Sequence, residues 1–273
     1  MLNINTNYGA SFAANAAKQT TRGLDSAIEK LSSGSRINYA RDDAAGQAVS
    51  MRLAAEVQGL ATASRNAADA QSMLDTAEGA MQETHSVLLR MRELAVQGAN
   101  GTLSDTDLDA LDAEFQQLEA EIDRIAANTS WAGKELLTSL AVTFQVGTGN
   151  TSNDRISVTM PDADAATLGI QASTTLQTMS KAQGAIAVLD TAISKISEER
   201  GRLGAISNRL GSTISNLDQI GVNLSQSKAR IQDTDFASVT SDLAKNQIMQ
   251  QAATAMLAQA NASKGNVLTL IQG

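Results

Sequence analysis

Alternating spacings of three and four residues between apolar side chains run through residues 186–231, and this repeat constrains the fold more than any other feature. Ten of its fourteen positions are Leu or Ile. Such a seven-residue repeat predicts a helix of about fifty residues that supercoils against a partner helix. Arg200 and Lys228 interrupt the repeat, and we expect each of them to set the register or to reach a neighbouring carboxylate.

The same spacing predicts four more helices, because it recurs along most of the chain. They cover residues 10–31, 43–97, 105–128 and 236–270, and the first ends at a Ser/Gly break. Ser104 precedes the third helix at the position of an N-cap. Helices of this length cannot bury their apolar sides within a small globule, so we expect them to lie side by side as a rod.

One region of the chain alternates apolar and polar residues, as a half-buried strand does. Residues 142–146 and 156–160 follow this pattern, the loop between them is rich in Gly, Asn and Ser, and Pro161 closes the region. The predicted fold is therefore mainly α, a long antiparallel helical coiled-coil or bundle rod with a small β-hairpin at its distal end. The expected segments are an N-terminal helix, the first half of the rod, the hairpin region, the second half of the rod and a C-terminal helix, at residues 1–35, 36–140, 141–175, 176–234 and 235–273.

Composition argues against several classes of function. The chain has no Cys and one His, which excludes a disulfide framework, a thiolate or multi-His metal site and a Cys nucleophile. A net charge of −8 disfavours nucleic-acid partners, and no apolar run is long enough to predict membrane insertion. The acidic residues at 42–43 and 233–235 are typical of helix caps. We therefore predict a protein that is not an enzyme, with no catalytic residue, no metal ligand and no cofactor.

Both ends of the chain are almost uncharged. Residues 1–23 carry only Lys18 and Arg22, and residues 249–273 carry only Lys264. Exposed helices normally carry many charges, whereas these are rich in Ala, Ser, Thr, Asn and Gln. An alanine-rich seam buries too little apolar surface to offset an ordering entropy of about 1–2 kcal/mol per residue. We expect the terminal helices to be loosely ordered in the single chain and to become ordered when many copies pack around an axis.

The self-assembly surface is predicted at the seam positions of these two terminal helices. Those positions are mostly small in the first helix and alternate between Ala and Met in the last. The residues concerned are Ala10, Ala14, Ala17, Leu24, Ile28, Leu31, Met249, Ala253, Met256, Ala260, Val267 and Leu270.

Four long segments carry a family resemblance. Residues 31–53 (LSSGSRINYARDDAAGQAVSMRL) resemble the N-terminal signature of the bacterial flagellins, and residues 88–101 (LLRMRELAVQGANG) resemble the rod segment of that family. Residues 203–217 (LGAISNRLGSTISNL) and 229–261 (ARIQDTDFASVTSDLAKNQIMQQAATAMLAQAN) resemble its C-terminal half. The four matches come in the order that the family has them and include both ends of the chain.

The resemblance implies a structural subunit that polymerises into the filament of a bacterial flagellum, with its terminal helices in the filament core. Flagellins leave the cell through the export channel of the flagellum, so the resemblance implies a secreted, extracellular location. It also implies contacts with further copies of the chain, with hook-junction and cap proteins, and with an export chaperone that binds residues 235–273. Some flagellins are sensed by a Toll-like receptor, and Arg90, Leu94 and Glu114 lie at the matching positions.

The middle of the chain departs from the family pattern. Only a short stretch, including the predicted hairpin, separates the two conserved halves, where many flagellins carry large outer domains. Trp131 and Ala132 stand where the family more often has Phe and Asn, although the turn residue Gly133 is kept. We therefore expect no outer domain.

Three other classes of protein stay open at this point. A hook–filament junction protein shares the design of the termini but is made in few copies. An intracellular signalling coiled coil predicts charged ends and a membrane anchor, and an all-helical enzyme predicts polar side chains that converge at one depth. The uncharged ends and the apolar seams favour the filament subunit.

Overall fold

A computed structural model describes residues 6–171 and 174–272, with side chains described as far as residue 263. The chain divides into two compact units. One, the terminal unit, consists of residues 1–55 and 223–273, and the other, the central unit, consists of residues 56–222.

Six α-helices account for most of the described chain, and five of them are long. In chain order they are α1 (Tyr8–Ser33), α2 (Ala44–Gly98), α3 (Asp105–Asn128), the single turn α4 (Ala165–Leu168), α5 (Met179–Gln232) and α6 (Phe236–Gln272). The predicted long helices are therefore confirmed, and so is the mainly α fold class.

Local sequence accounts for where these helices begin and end. The side chain of Asn7 accepts a hydrogen bond from the backbone N–H of Ala10 at 3.1 Å, and Ser104 and Asp107 form a reciprocal capping box at the start of α3. Such caps satisfy N–H groups that have no partner inside the helix. Gly34 ends α1 with a φ of 67°, a left-handed conformation that glycine adopts without steric cost. The N-cap predicted at Ser104 is confirmed.

Within the central unit, α2 and α5 run antiparallel over a continuous apolar core that also includes α3. The Nε of Arg92 donates to Asp190 at 2.6 Å, and farther along α5 the Nη2 of Arg200 lies 3.3 Å from the carboxylate of Glu78. Arg200 therefore reaches a neighbouring carboxylate, as predicted. The side chains of α5 that are buried at seven-residue intervals confirm its predicted seam: Leu189, Ile196, Leu203, Leu210 and Leu217.

Two antiparallel hairpins follow α3 in the central unit. The first, which the sequence did not predict, pairs β1 (Ser130–Trp131) with β2 (Lys134–Glu135). Its turn residues, Ala132 and Gly133, have φ values of 49° and 79°, as a type I′ hairpin turn requires. The second hairpin pairs β3 (Ala141–Gln145) with β4 (Arg155–Thr159) and confirms the predicted one.

Carboxylates of α3 fix the segment that leads into α5. The buried Asp112 accepts a hydrogen bond from the backbone N–H of Leu176 at 2.7 Å, and Asp123 accepts one from Ala165 at 2.9 Å. Burial, together with the negative charges of Asp123 and Asp112, raises the pKa of Glu119, which lies between them in the sequence. Among the described residues, no group of three or more His, Cys, Asp or Glu side chains is arranged to hold a metal ion.

Replacing Asp112 by Ala is expected to lower the free energy of unfolding by about 1–3 kcal/mol, because the buried N–H of Leu176 then has no acceptor. The matched control is Asp109→Ala, which removes an exposed carboxylate from the same helix. For that control we expect a change within about 0.5 kcal/mol. Urea unfolding followed by circular dichroism measures both, and equal losses would contradict the role given to Asp112.

Candidate self-assembly surface

The terminal unit consists mainly of α1 and α6, which pack against each other. The Nδ2 of Asn7 donates to the carbonyl of Ala260 at 3.0 Å, and the Nε2 of Gln250 donates to Oγ1 of Thr21 at 3.4 Å. Residue numbers rise along α1 as they fall along α6, so the two helices are antiparallel. The prediction that the termini are loosely ordered in the single chain is therefore a prediction that the α1–α6 pair has low stability.

Small side chains form most of the α1 side of the seam between α1 and α6. A Cβ atom on Gly23 would lie 3.0 Å from the Nδ2 of Asn246, so glycine allows a close approach that a larger residue would disturb. Of the 39 buried apolar residues in the described chain, the terminal unit contributes only four: Ala13, Ala27, Ile37 and Ala253. Because burial stabilises by about 25 cal/mol per Å² of apolar surface, three alanines and one isoleucine contribute little.

The buried side of α1 repeats every seven residues, as predicted, but part of it is shifted by one residue from the predicted positions. Ile28 is 50% exposed, and the buried positions on this face are Ala13, Thr20 and Ala27. Ile28 therefore lies one residue off the α1–α6 seam, which corrects the predicted register, while its place in the self-assembly surface stays a prediction. The remaining predicted residues of α1 are half-buried: Ala10, Ala14, Ala17, Leu24 and Leu31.

On α6 the prediction selected residues from two different faces. Ala253 is buried and Ala260 is half-buried, whereas Met249 and Met256 are 49% and 59% exposed and lie off the seam with α1. Both methionines therefore lie off the α1–α6 seam, which corrects the predicted register, while their place in the self-assembly surface stays a prediction. Val267 and Leu270 have side chains outside the described residues. The half-buried or buried positions of α6 follow a three-four repeat that includes two amides: Val239, Leu243, Asn246, Gln250, Ala253, Leu257 and Ala260.

Large apolar side chains are concentrated on the outside of the terminal unit. Fourteen of the described large apolar residues are exposed, and nine of them belong to this unit. We call these nine the outer apolar surface: Tyr8, Phe12, Ile28, Tyr39, Met51, Phe236, Ile248, Met249 and Met256. Exposed apolar residues in such numbers are typical of an interaction surface. No described helix is apolar enough over a sufficient length to cross a membrane.

The seven-residue pattern did not point to Phe12 or Ile248, two of the most exposed members of this surface. They are 72% and 66% exposed and stand at positions off the seam. A helix that faces only water normally carries charge at such positions. A large apolar residue off the seam of a nearly uncharged helix was the signal that could have identified them.

The three residues predicted to contact a receptor do not share one surface. Arg90 donates to Glu114 at 3.0 Å from Nε and at 2.8 Å from Nη2, and it also pairs with Glu93. These hydrogen bonds, the one to Glu114 first, raise the pKa of Arg90, while both Arg90 and Glu114 stay partly exposed. Leu94 is 1% exposed and packs in the core of the central unit. Its side chain is therefore not available to a partner in this conformation, and a receptor contact through Arg90 and Glu114 stays a prediction.

Comparison with known proteins decides the family. The family model of the bacterial flagellin N-terminal helical region matches residues 4–141, and that of the bacterial flagellin C-terminal helical region matches residues 186–271. The chain belongs to the bacterial flagellin family. The resemblance seen in the four sequence segments is thereby confirmed.

Curated flagellins are similar to the chain over nearly their whole length. A flagellin of Halalkalibacterium halodurans is 43% identical, over 90% of this chain and 91% of that protein. A flagellin of Bacillus subtilis is 38% identical, over 99% of this chain and 100% of that protein. The flagellar filament 31.3 kDa core protein of Treponema maltophilum is 38% identical, over 98% of this chain and 99% of that protein.

Solved structures share the helical fold. The crystal structure of Bacillus cereus flagellin is 37% identical with a TM-score of 0.51, over 56% of this chain and 88% of that chain. A structure described as a flagellar hook-associated protein of Vibrio parahaemolyticus has a TM-score of 0.60 over 70% of this chain and 100% of that chain. At 14% identity this second likeness shows the fold alone. Sequence similarity, and not the fold, therefore separates flagellins from hook-associated proteins in this comparison.

Replacing Met256 by Gln is expected to raise the critical concentration for polymerisation by more than about tenfold, because covering a Met side chain contributes about 1.5–3 kcal/mol. The stability of the single chain should stay within about 0.5 kcal/mol, since Met256 is exposed and Gln is an equally good helix former. Sedimentation of polymer from monomer measures the critical concentration.

The control for this substitution is Val96→Thr, which adds a polar group to an exposed apolar residue of the central unit. Its critical concentration should stay close to that of the wild type. An unchanged critical concentration in Met256→Gln would remove this residue from the assembly surface.

Proposed function

We propose that the chain is the structural subunit of a bacterial flagellar filament and that it polymerises through its terminal unit. The observation that carries this proposal is the imbalance in that unit, where nine large apolar residues are exposed and only four apolar residues are buried. Copies packed around a common axis would cover the outer apolar surface. The hydrophobic effect would then supply the stabilisation that the α1–α6 seam lacks.

The similarity to curated proteins supports a structural role. Relatives that match this chain over nine-tenths or more of their length are named flagellin or flagellar filament core protein. The central unit has an apolar core of its own, so we expect it to stay folded whether or not the termini are engaged. This arrangement suits a subunit that keeps one folded body and gains order at its ends on assembly.

A hook–filament junction protein is the second candidate, because its termini follow the same design. The fold does not distinguish it, since a hook-associated protein shares the fold at 14% identity. The 43% identity to a flagellin favours the filament subunit. Growth separates the two functions, because a filament subunit adds to a growing end without limit whereas a junction protein forms only a short layer.

Partners of the single chain follow from its uncovered surface. Ile248, Met249 and Met256 lie exposed on α6 and need cover until the chain assembles. We propose that a flagellar export chaperone binds residues 235–273, that the chain is then secreted to the extracellular filament, and that cap and hook-junction proteins contact the ends of the polymer. A contact with a Toll-like receptor would use the exposed ion pair of Arg90 and Glu114.

The full chain, when seeded or salted out, is expected to form long helical fibres visible by electron microscopy. A variant without residues 1–30 should form none, because it lacks most of α1 and with it the α1–α6 pair. The same variant should keep the cooperative unfolding transition of the central unit, which circular dichroism measures. Fibres of normal length from the truncated chain would contradict assembly through the terminal unit, and growth that stops after a few layers in the full chain would favour a junction protein.

A further inference from the structure

Lys228 interrupts the same heptad repeat as Arg200 but has no carboxylate partner. Arg200 pairs with Glu78 across the central unit at 3.3 Å. Lys228 is half-buried, and within the described part of the chain it makes no ion pair and no side-chain hydrogen bond. An ammonium group without a neighbouring carboxylate can form an ion pair with one that a partner brings. The molecule therefore has one seam cation that is paired and one that is not.

Lys228 lines an open groove of about 440 Å³ in the terminal unit. The end of α1, residues 34–43, the first turns of α2 and the end of α5 form its walls. Met51 stands at the groove with 64% of its surface exposed. The groove is therefore accessible and combines an ammonium group with an apolar side chain.

Two side-chain amides of this groove have unpaired atoms. The Nδ2 of Asn38 and the Oε1 of Gln47 are shielded from solvent and have no hydrogen-bond partner. One is a donor and the other an acceptor, so a peptide segment offers a match for each, an oxygen for Asn38 and an N–H for Gln47.

The backbone around these amides is held in place. The carboxylate of Asp42 accepts hydrogen bonds from the backbone N–H groups of Tyr39 and Asn38 at 3.0 and 3.1 Å, and these bonds lower the pKa of Asp42. The N–H of Arg36 donates to the carbonyl of Gln232 at 2.7 Å. The groove therefore has fixed walls and unsatisfied side chains.

Charge is divided unequally between the two units. The terminal unit contains 10 Lys and Arg against 7 Asp and Glu, whereas the central unit contains 11 against 22. Carboxylates in excess of cations are therefore available in residues 56–222 of every copy. They complement an unpaired cation in the terminal unit of another copy.

We infer that this groove binds a carboxylate-bearing segment from residues 56–222 of a second copy of the chain. The Nζ of Lys228 pairs with the carboxylate, Asn38 donates to an oxygen of the same segment, and Gln47 accepts from its backbone N–H. The inference rests on the proposed function, because the polymer supplies the second copy. A contact between two unlike surfaces is heterologous, and such contacts extend into open helical polymers when they do not close into a ring.

Zero-length cross-linking of assembled fibres tests this contact directly. Fibres are grown from an equal mixture of ¹⁴N-labelled and ¹⁵N-labelled full-length chains and treated with a carbodiimide, which joins an amine to a carboxylate that it touches. The inference predicts cross-linked peptides that join Lys228 to an Asp or Glu of residues 56–222 and carry one label of each kind. If Lys228 forms no mixed-label cross-link while other lysines of the same fibres do, the inference is overturned.

A substitution gives the second test. Lys228→Gln is expected to raise the critical concentration for polymerisation about tenfold at low salt, with a smaller difference at high salt because salt screens the pair. The control is Lys134→Gln, which removes the same charge from an exposed residue of strand β2 in the central unit and should leave the critical concentration unchanged. Thermal unfolding of each monomeric variant is measured to check that both variants are folded.

The outcomes separate this inference from the proposed function. If the wild type itself forms no fibres, the proposed function fails. If the wild type forms fibres and Lys228→Gln behaves as Lys134→Gln does, the groove inference alone is overturned.

Discussion

The close packing of small side chains between α1 and α6 is the constraint on which the behaviour of this chain depends. The two helices approach closely because Gly23 packs against Asn246. Ala13 and Ala253 are buried in the same helix pair. The same small residues remove little apolar surface from water. The contacts of the pair must still offset the conformational entropy that more than fifty residues lose when they become helical. A pair of this kind needs additional burial, and its exposed Phe12, Ile248 and Met256 provide the surface for it.

The central unit, in contrast, buries many large apolar side chains. Its α5 places Leu or Ile at seven-residue intervals into a core shared with α2 and α3, and ion pairs such as Arg92 with Asp190 connect the helices. The buried carboxylate of Asp112 and the exposed carboxylate of Asp123 fix the irregular segment before α5 by accepting hydrogen bonds from backbone N–H groups. We therefore expect this unit to be stable by its own contacts, and we propose that the terminal unit depends on neighbouring copies. In this proposal, one chain combines a central unit that folds by itself with a terminal unit that becomes fully ordered in the polymer.

Much of this could be predicted from the sequence, because long helices with Leu and Ile at heptad positions leave a strong periodic pattern. The capping box at Ser104 and the alternation in β3 and β4 were equally readable. The β1–β2 hairpin was not, since two residues per strand are too few to show alternation. A shift of one residue at Ile28 and Ala27 arose because a search for apolar positions favours the larger Ile28, whereas the α1–α6 pair buries the neighbouring Ala27.

The sequence pattern predicted only part of the α6 seam, for a related reason. Asn246 and Gln250 occupy seam positions that a search for apolar residues passes over, while the exposed Met249 and Met256 attract it. Sequence alone also did not show that Leu94 faces the core while Arg90 faces solvent, because both belong to one helix whose neighbours were unknown. In each case the missing information was which side of a helix another chain segment covers.

The central claim is that the terminal helices obtain most of their stability from neighbouring copies, and hydrogen exchange measured residue by residue in the single chain and in assembled fibres tests it most directly. Amides of α1 and α6 should exchange by local opening much faster than those of residues 189–217 in the single chain, and should become protected in fibres. If α1 and α6 were protected in the single chain to the same extent as residues 189–217, the claim would be contradicted.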